Sequence, residues 1–249
     1  MSEFFSALDS VLSGLGQLQR ESDHPPRATR SALERLRLTS APRRSEKAER
    51  LAPLRERVAV CTRCPHLAAA RIQTVFGTGN LDADIMFIGE APGADEDRLG
   101  EPFVGRAGQL LTKIIGAMGY TRDDVYIANV LKCRPDTPGR SAGNRPPTPE
   151  EMATCLPYLA EQIAIIEPRV LVALGATAVE GLLEFRAPMS QLRGRWHSYH
   201  DTPLMITYHP SYLLRNQSNT EKRKVWEDML LVLERLERRI TEKQRGYFR

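Results

Sequence analysis

The segment IMFIGEAPGADEDRLGEPFVGRAGQLL, residues 85–111, joins an apolar run to a loop rich in glycine and acidic residues. Ile85–Ile88 is continuously apolar, as strands buried on both faces of a sheet are. The loop and the residues after it contain five glycines, which allow a backbone to approach a ligand closely. Residues 107–118, AGQLLTKIIGAM, then have helical spacing. The segment predicts a buried strand, a ligand-binding loop and a helix.

Three further apolar segments have the same strand character: Val125–Val130, Val170–Leu174 and Leu204–Tyr208. Helical patterns separate or follow the strands, at Ala107–Met118, Pro149–Ile166, Ala176–Leu183 and Glu221–Ile240. Alternation of strands and helices is typical of sheets whose strands run parallel. We predict an α/β fold of three layers, α/β/α, around a central, mainly parallel sheet of four strands.

The first fifty residues differ in composition from the rest. Apolar residues recur at helical spacing over residues 3–19, which predicts a short amphipathic helix. Residues 21–50 are rich in proline and arginine and poor in large apolar groups, as mobile linkers are. We therefore divide the chain into residues 1–50, a compact domain at 51–243 and a tail at 244–249. The N-terminal helix binds a partner protein, packs on the domain or frays; the sequence fits all three.

Composition narrows the location and the partners. No run reaches the roughly 20 apolar residues that cross a bilayer, and no basic leader precedes the N-terminal apolar positions. We expect a cytoplasmic monomer with no membrane partner. The net charge is +4, and residues 24–50 hold eight Lys/Arg against three acidic residues. Such basic ends fit a polyanion partner, and solvated tails explain them equally well.

Side chains with catalytic potential follow the predicted strands. Glu90 follows the first strand, Asn129 lies near the end of the second, and His209 follows the fourth. Open α/β sheets bind ligands at the carboxyl ends of their strands, so we expect these residues at one rim. Asn pairs a donor with an acceptor, His donates to an oxygen that gains charge, and Glu activates water. With Phe103 as a flat face, they suit a planar heterocycle that leaves as an anion.

The chain has four cysteines: Cys61, Cys64, Cys133 and Cys155. Disulfides are rare in cytosolic proteins, so four thiols indicate a metal site. Zinc ribbons usually present two CxxC pairs, whereas the second pair here is split between a strand end and a helix. The spacing alone leaves structural zinc and other thiolate-bound metals open.

Three motifs occur in the order GEAPGADEDRLGEPFVGRAGQLL, NVLKCRP and HPSYLLR, at residues 89–111, 129–135 and 209–215. Together they resemble the iron–sulfur (family 4) uracil-DNA glycosylases, within the larger uracil-DNA glycosylase superfamily. The resemblance covers about residues 55–236. It implies a uracil-DNA glycosylase-like fold, a catalytic role for the domain at 51–243, and uracil-containing DNA, single- or double-stranded, as the partner. It also implies association with the nucleoid.

The resemblance further implies a role for each rim residue. Asn129 would contact the N3/O4 edge of uracil, His209 would face O2, and Phe103 would stack on the base. The remaining pocket residues would contribute backbone groups: Gly89, Glu90 and Ala91. The implied reaction flips deoxyuridine out of DNA, hydrolyses its N-glycosidic bond and leaves an abasic site for base excision repair. No lysine occupies an obvious Schiff-base position at the rim, so we expect no strand cleavage.

The chain departs from the GQDPYH branch of the superfamily in its first motif. That branch places its water-activating aspartate where this chain has Ala91, so we assign the role to Glu90 and make His209 the second catalytic residue. Two further carboxylates, Glu96 and Asp97, are expected to support it. The aromatic residue that excludes thymine in that branch is replaced by glycine, so the sequence does not identify how thymine is excluded.

The segment Asp136–Thr148 is longer than is usual in the family. A related branch carries a histidine here that traps DNA covalently, but this segment contains none, so we expect no trap. We expect Arg140 and Arg145 to contact phosphate or solvent.

The HPSYLLR motif predicts a clamp on DNA. We expect phosphate contacts, with Tyr212 or Leu213 filling the gap left by the flipped base. Core packing is the alternative for Leu213 and the expectation for Leu214. The predicted DNA-binding residues are Arg106, Ser211, Tyr212, Leu213 and Arg215.

The resemblance resolves the open metal question in favour of a [4Fe–4S] cluster held by the four cysteines. Because Cys133 lies four residues after Asn129, we expect the cluster to fix the loop that carries Asn129 and a surface that meets DNA. We expect a structural role for it.

Two other functions compete with the glycosylase. The first is a catalytically silent iron–sulfur protein of the same fold that binds DNA or assists a polymerase. The second is a nucleotide-binding regulator, since a glycine-rich strand–loop–helix can bind phosphate. Against the regulator, the loop lacks the GxxxxGK[ST] lysine and its carboxylates would repel phosphate.

Overall fold

The computed structural model describes residues 46–135 and 145–249. The predicted N-terminal helix, most of the linker and Arg140 lie outside this part of the chain. A helix covers residues 46–59 (α1). The other helices are α2 (Pro65–Ala70), α3 (Ala94–Leu99), α4 (Arg106–Ala117), α5 (Pro149–Ile166), α6 (Ala176–Leu183), α7 (Met189–Leu192), α8 (Pro210–Arg215), α9 (Asn219–Arg235) and α10 (Glu242–Arg245).

The sheet has six strands in the order β1-β3-β2-β4-β6-β5. The strands are β1 (Thr78–Gly79), β2 (Ile85–Gly89), β3 (Tyr126–Asn129), β4 (Val170–Leu174), β5 (Trp196–Tyr199) and β6 (Thr202–Thr207). The four predicted strands are β2, β3, β4 and β6, and they form the parallel centre. The sequence missed β1 and β5, which pair antiparallel at the two edges.

Alternating strand residues face the two sides of the sheet and build two apolar cores. On one side, Met86 and Ile88 pack in a cluster with residues of α1, α5 and α6. On the other, Ile85 and Phe87 pack in a cluster with residues of α4 and α9. Helices therefore cover both faces, and the predicted three-layer α/β/α architecture is confirmed. It places the loops after β2, β3, β4 and β6 at one edge of the sheet.

The two ends of the described chain differ from the boundaries predicted at residues 51 and 243. Residues 46–50 are already helical, and the Lys47 ammonium is buried, where it donates to the Ile166 carbonyl at 2.8 Å. Helix α10 crosses position 243, and the Trp226 indole donates to the Gln244 carbonyl at 2.6 Å. Both segments pack against the body because they supply partners for buried polar groups.

Candidate active site

A cleft of about 460 Å³ opens at the carboxyl ends of the parallel strands. Strand pairing brings its walls together, since Gly89 lies opposite Asn129 and Leu174 lies opposite Thr207. The cleft is lined by Glu90, Ala91, Pro92, Gly93, Glu96, Phe103, Ala107, Asn129, Pro135, Arg145, Gly175, Ala176, His209, Ser211 and Arg215. The structure thus brings the four side chains expected at the rim, which come from four separate segments of the chain, into one space.

The Gly89 position is restricted to glycine by its neighbours. A Cβ there would lie 2.4 Å from Asn129 Oδ1 and 2.5 Å from Phe103 Cζ. The Phe103 backbone has a φ of 55°, and its carbonyl accepts from the Arg122 guanidinium at 3.1 Å. The Phe103 ring is held 5.7 Å from the His209 ring, between centroids. The backbone at Gly89 therefore lets an amide and an aromatic ring meet at the cleft.

Asn129 carries a buried acceptor that the protein does not satisfy. Its side chain is 2% exposed, and its Oδ1 has no hydrogen-bond partner among the residues that the structure describes. A buried polar atom without a partner costs about 1–3 kcal/mol. An unmatched acceptor in a cleft wall is complementary to a ligand N–H.

His209 presents the opposite polarity. It caps the N-terminus of α8, and its Nδ1 accepts from the Ser211 backbone N–H at 3.1 Å, with Ser211 Oγ 2.8 Å away. Because Nδ1 accepts this bond, a neutral ring carries its proton on Nε2. Burial, with a smaller contribution from Arg215, lowers the pKa of His209 to about 4, although Glu96 opposes the shift. His209 is therefore a neutral donor near pH 7.

Glu90 has the properties of a base that titrates nearer to neutrality than an exposed glutamate. Burial raises its pKa above the ordinary value of 4.5, although a hydrogen bond from Thr177 opposes the shift. Thr177 lies on α6, and the sequence analysis missed it. The neighbouring Ala91 also lines the cleft but has no ionisable group.

The two carboxylates predicted to support Glu90 organise backbone instead. Glu96 Oε1 accepts from the backbone N–H groups of Val104 and Gly105, both at 2.9 Å, and its Oε2 accepts from Gly93 at 3.1 Å. Asp97 is 2% exposed and accepts from the backbone of Ile72 at 3.0 Å. Glu96 therefore fastens the glycine loop to the Phe103 turn, and Asp97 fastens α3 to the segment after α2.

The predicted DNA-binding residues have different surroundings in the structure. Arg106 and Arg215 are exposed, and Ser211 lines the cleft. The Tyr212 hydroxyl donates to Glu221 at 3.0 Å, and its ring stacks on Tyr208, with 4.5 Å between centroids. The Tyr212 side chain is therefore engaged within the protein.

Leu213 and Leu214, which are adjacent on α8, differ in burial. Leu213, for which insertion into DNA and core packing were both open, is 5% exposed and packed in the protein. Leu214, predicted to pack in the core, is 37% exposed, so that prediction was wrong. The helical geometry of α8 turns adjacent residues in different directions, and the apolar pattern alone could not tell which one faces inward.

The four cysteines are free and gather beside the cleft. Cys133, Cys155 and Cys64 pack in one cluster with Leu67 and Leu131. Two donors reach the sulfurs: the Arg71 guanidinium contacts Cys133 Sγ at 3.0 Å, and the Lys132 backbone N–H contacts Cys155 Sγ at 3.3 Å. Burial raises the pKa of Cys155 to about 11, so this sulfur needs a cation to ionise near pH 7.

Within the described ranges, no three His, Cys, Asp or Glu side chains lie close enough to hold a single metal ion. A tetrahedral zinc site would bring sulfurs to about 3.8 Å from one another, given Zn–S bonds of about 2.3 Å. The described thiols therefore do not form a ready-made site for one tetrahedral ion.

Lys132 links the cysteines to Asn129, a connection that the sequence analysis missed. Its ammonium is fully buried and donates to the Asn129 carbonyl at 2.9 Å and to Gln162 Oε1 at 2.5 Å. The position of Asn129 is therefore tied to the segment that carries Cys133.

The structure has no helix among the described residues that is long and apolar enough to cross a membrane.

Comparison with known proteins agrees with the geometry. A model of the Uracil DNA glycosylase superfamily matches residues 76–230. The Type-4 uracil-DNA glycosylase of Thermotoga maritima is 49% identical over 70% of this chain and 88% of its own length. The proteins of that name from Pyrobaculum aerophilum and Archaeoglobus fulgidus are 41% and 43% identical, over 66% and 62% of this chain and 85% and 78% of their own lengths.

Proposed function

The chain belongs to the uracil DNA glycosylase superfamily, and we propose that it is a monofunctional uracil-DNA glycosylase of base excision repair. It would hydrolyse the N-glycosidic bond of a flipped deoxyuridine, release uracil and leave an abasic site. The observation that carries the proposal is the unsatisfied Oδ1 of Asn129 in the same cleft as the neutral donor His209. Acceptor and donor together complement the imide N–H and a carbonyl of uracil.

Recognition would use three side chains. Asn129 Oδ1 accepts from uracil N3–H, and its amide group donates to O4. His209 Nε2–H donates to O2, and Phe103 stacks on the ring. Backbone groups of Gly89, Glu90 and Ala91 complete the pocket. The support for this arrangement is that Asn129 Oδ1, which has no hydrogen-bond partner among the described residues, would gain one from N3–H.

Catalysis would depend on stabilising the departing base. Negative charge grows on uracil as the glycosidic bond breaks, and it accumulates on O2, where the neutral imidazole of His209 donates. A donor aimed at a developing oxyanion contributes about 2.7–4 kcal/mol. Glu90 holds and deprotonates the water that adds at C1′, because Ala91 beside it cannot. The raised pKa of Glu90 suits this role, since the resulting carboxylate is a stronger base.

DNA would bind across α8 and the start of α4. The exposed Arg106 and Arg215 would contact phosphates, with Ser211 beside them in the cleft wall. We replace Leu213 by the exposed Leu214 as the apolar group that fills the gap in the stack. Flipping a base costs a few kcal/mol, and these contacts would offset that cost.

We further propose that Cys61, Cys64, Cys133 and Cys155 hold a [4Fe–4S] cluster as thiolates. When bound, the cluster supplies a cross-link between segments that are distant in sequence. The arrangement of four free thiols beside Arg71 and Lys132 supports it. Iron and sulfide content with broad visible absorbance would agree with the cluster, whereas stoichiometric zinc after anaerobic purification would contradict it.

A catalytically silent protein of the same fold is not favoured, because the curated relatives are named as glycosylases. A cytoplasmic, nucleoid-associated monomer fits a DNA substrate, as does a partner-binding role for the N-terminal residues. These stay predictions.

The deciding experiment measures base release and strand cleavage on single- and double-stranded oligonucleotides that contain uracil, hypoxanthine or thymine. We expect uracil release without cleavage. His209→Ala should reduce single-turnover excision about 100- to 1000-fold, and Lys113→Ala, an exposed change outside the cleft, is the matched control. Failure of the wild-type protein to release uracil, or an unaffected His209→Ala variant, would refute the proposal.

A further inference from the structure

A buried carboxylate outside the cleft organises the segment that leads into His209. Asp228, on α9, has no exposed surface. Its Oδ2 accepts from the Thr207 hydroxyl at 2.6 Å and from Arg193 Nε at 3.1 Å, and its Oδ1 accepts from Arg193 Nη2 at 2.9 Å. Arg193 also donates to the Lys224 carbonyl. One carboxylate therefore ties together the end of β6, the turn after α7 and the helix α9.

The first connection from Asp228 to His209 runs along the backbone. Thr207 is the last residue of β6 and precedes His209 by two positions. Its carbonyl accepts from the Gly175 N–H at 2.9 Å. Gly175 in turn approaches His209 so closely that a Cβ at Gly175 would lie 2.9 Å from His209 Cβ. A shift of Thr207 would therefore move Gly175, which lies against His209 Cβ. It would also move His209 itself, two positions further along the chain.

The second connection runs through aromatic rings. The Arg193 guanidinium lies 5.8 Å from the centre of the Tyr208 ring. Tyr208 stacks on Tyr212, with 4.5 Å between centroids and 25° between planes. Tyr212 belongs to α8, the helix that His209 caps and that supplies the Ser211 N–H to Nδ1. Both sides of His209 are thus attached to the Arg193–Asp228 pair.

The burial of the Arg193–Asp228 pair indicates a purpose beyond packing. Burying a carboxylate is expensive, and a well-packed apolar group is often as stable as a buried ion pair. Burial raises the pKa of Asp228 to about 6 in spite of its three donors. A fully satisfied buried network does rigidify its surroundings, however. Rigidity is of most value where a catalytic donor must be aimed.

We propose that Asp228, Arg193 and Thr207 are positioning residues that hold the His209 imidazole in its donor orientation. This inference rests on the proposed function. None of the three lines the cleft, so they would act through His209 and would not touch the base.

A matched pair of variants tests the proposal. Thr207→Val keeps the shape of the side chain but removes the hydroxyl donor, whereas Thr207→Ser keeps the donor. We expect Thr207→Val to lower kcat by up to about 100-fold, the loss that a misplacement of about 1 Å causes, with an unchanged KM. Thr207→Ser should behave as wild type. Equal activity of the two variants would overturn the proposal.

A double-mutant cycle separates positioning from general destabilisation. If Thr207 acts through His209, Thr207→Val should cause no further loss in the His209→Ala background, since the group it positions is gone. A loss of the same factor in both backgrounds would assign Thr207 a structural role and would refute the proposal. Uracil release by the wild-type protein, measured in parallel, keeps a failure here distinct from a failure of the proposed function.

An NMR measurement provides a readout that does not depend on activity. The chain has five histidines, so the ring nitrogens of His209 can be assigned by comparison with His209→Ala. We expect the Nε2–H tautomer in the wild type and a mixture of tautomers in Thr207→Val. Should Thr207→Val not fold, Arg193→Lys keeps the charge, loses the two-point contact with Asp228 and should give the same mixture. An unmixed Nε2–H tautomer in the folded variant would contradict positioning.

Discussion

The cleft and the cysteine cluster lie on either side of one short segment, residues 129–133. Their buried polar atoms differ in whether the protein supplies a hydrogen-bond partner. In the cleft, Asn129 Oδ1 is buried without a described partner. Among the cysteines, Cys133 and Cys155 each receive an N–H donor. A lone acceptor suits a ligand that arrives with its own N–H and leaves again. Sulfurs supplied with donors suit thiolates held permanently. The comparison shows that a missing hydrogen-bond partner indicates the ligand of a site as clearly as the side chains that line the site do.

The largest effect should come from a base that does not match Asn129. Cytosine has a lone pair at N3 where uracil has N–H, so it would place one acceptor against another. Sites that depend on such a hydrogen bond reject the mismatched ligand by about 10⁴- to 10⁵-fold. We expect that ratio between uracil and cytosine excision from single-stranded oligonucleotides, where base pairing does not contribute.

Asn129→Ala is the variant that controls this measurement. It should slow uracil excision and bring the two rates closer together, because the selective acceptor is gone. If the wild-type ratio persisted in Asn129→Ala, the unsatisfied acceptor would not be the source of selectivity. The missing partner of Asn129 would then not indicate what the cleft binds.

The second effect concerns Glu90 and pH. Below its pKa the carboxyl group is protonated and cannot accept a proton from water, so kcat/KM should fall as the pH falls. Because burial raises that pKa, the fall should begin at a higher pH than for an exposed glutamate. Glu90→Gln should lower activity by about 10²- to 10⁴-fold and abolish the pH dependence of what remains.

His209→Ala distinguishes the two groups in the same pH series. The pKa of His209 is lowered to about 4 and that of Glu90 is raised above 4.5, so the imidazole is neutral over the upper part of the Glu90 titration. The variant should therefore keep the acid limb at a lower rate. Loss of the limb in His209→Ala, or its persistence in Glu90→Gln, would reverse the assignment of the base.

The smallest effect should appear on the cysteine side. Arg71 donates to Cys133 Sγ and to the Cys61 carbonyl at 2.7 Å. Removing a hydrogen bond to a metal ligand typically weakens the centre by about 10- to 100-fold. Arg71→Ala should lose iron to a chelator faster by that factor, with normal excision per iron-loaded molecule. Arg55→Ala, which removes a nearby arginine that lies over Phe76, should retain its iron. Equal iron loss in the two variants would show that Arg71 does not stabilise the cysteine site.

Much of the fold could be predicted because buried parallel strands have an unambiguous pattern. β4, α5 and α6 have the predicted limits. The edge strands escaped detection for a physical reason. β1 is two residues long, and β5 (WHSY) is partly exposed, so neither has a continuous apolar run.

The candidate site could be predicted where residue type implies chemistry. Glu90, Phe103, Asn129 and His209 were selected in this way, and the structure places all four in one cleft. Residues that act through geometry could not be found, because nothing in the sequence marks Thr207 or Asp228 as partners across 21 residues. Which of Leu213 and Leu214 faces inward depends on the turn of a short helix. Two identical side chains in a row give no sign of it.

The acidic segment after β2 includes α3 and carries several carboxylates. Its internal hydrogen bonds explain what these carboxylates do. Glu96 receives three backbone amides, Asp97 receives amides from the chain after α2, and Asp95 pairs with Arg98 at 3.3 Å. These hydrogen bonds and this ion pair hold α3 and the loops beside it in shape. An engineer who neutralised Glu96 to strengthen attraction for a polyanion would therefore loosen the loop and obtain a weaker catalyst.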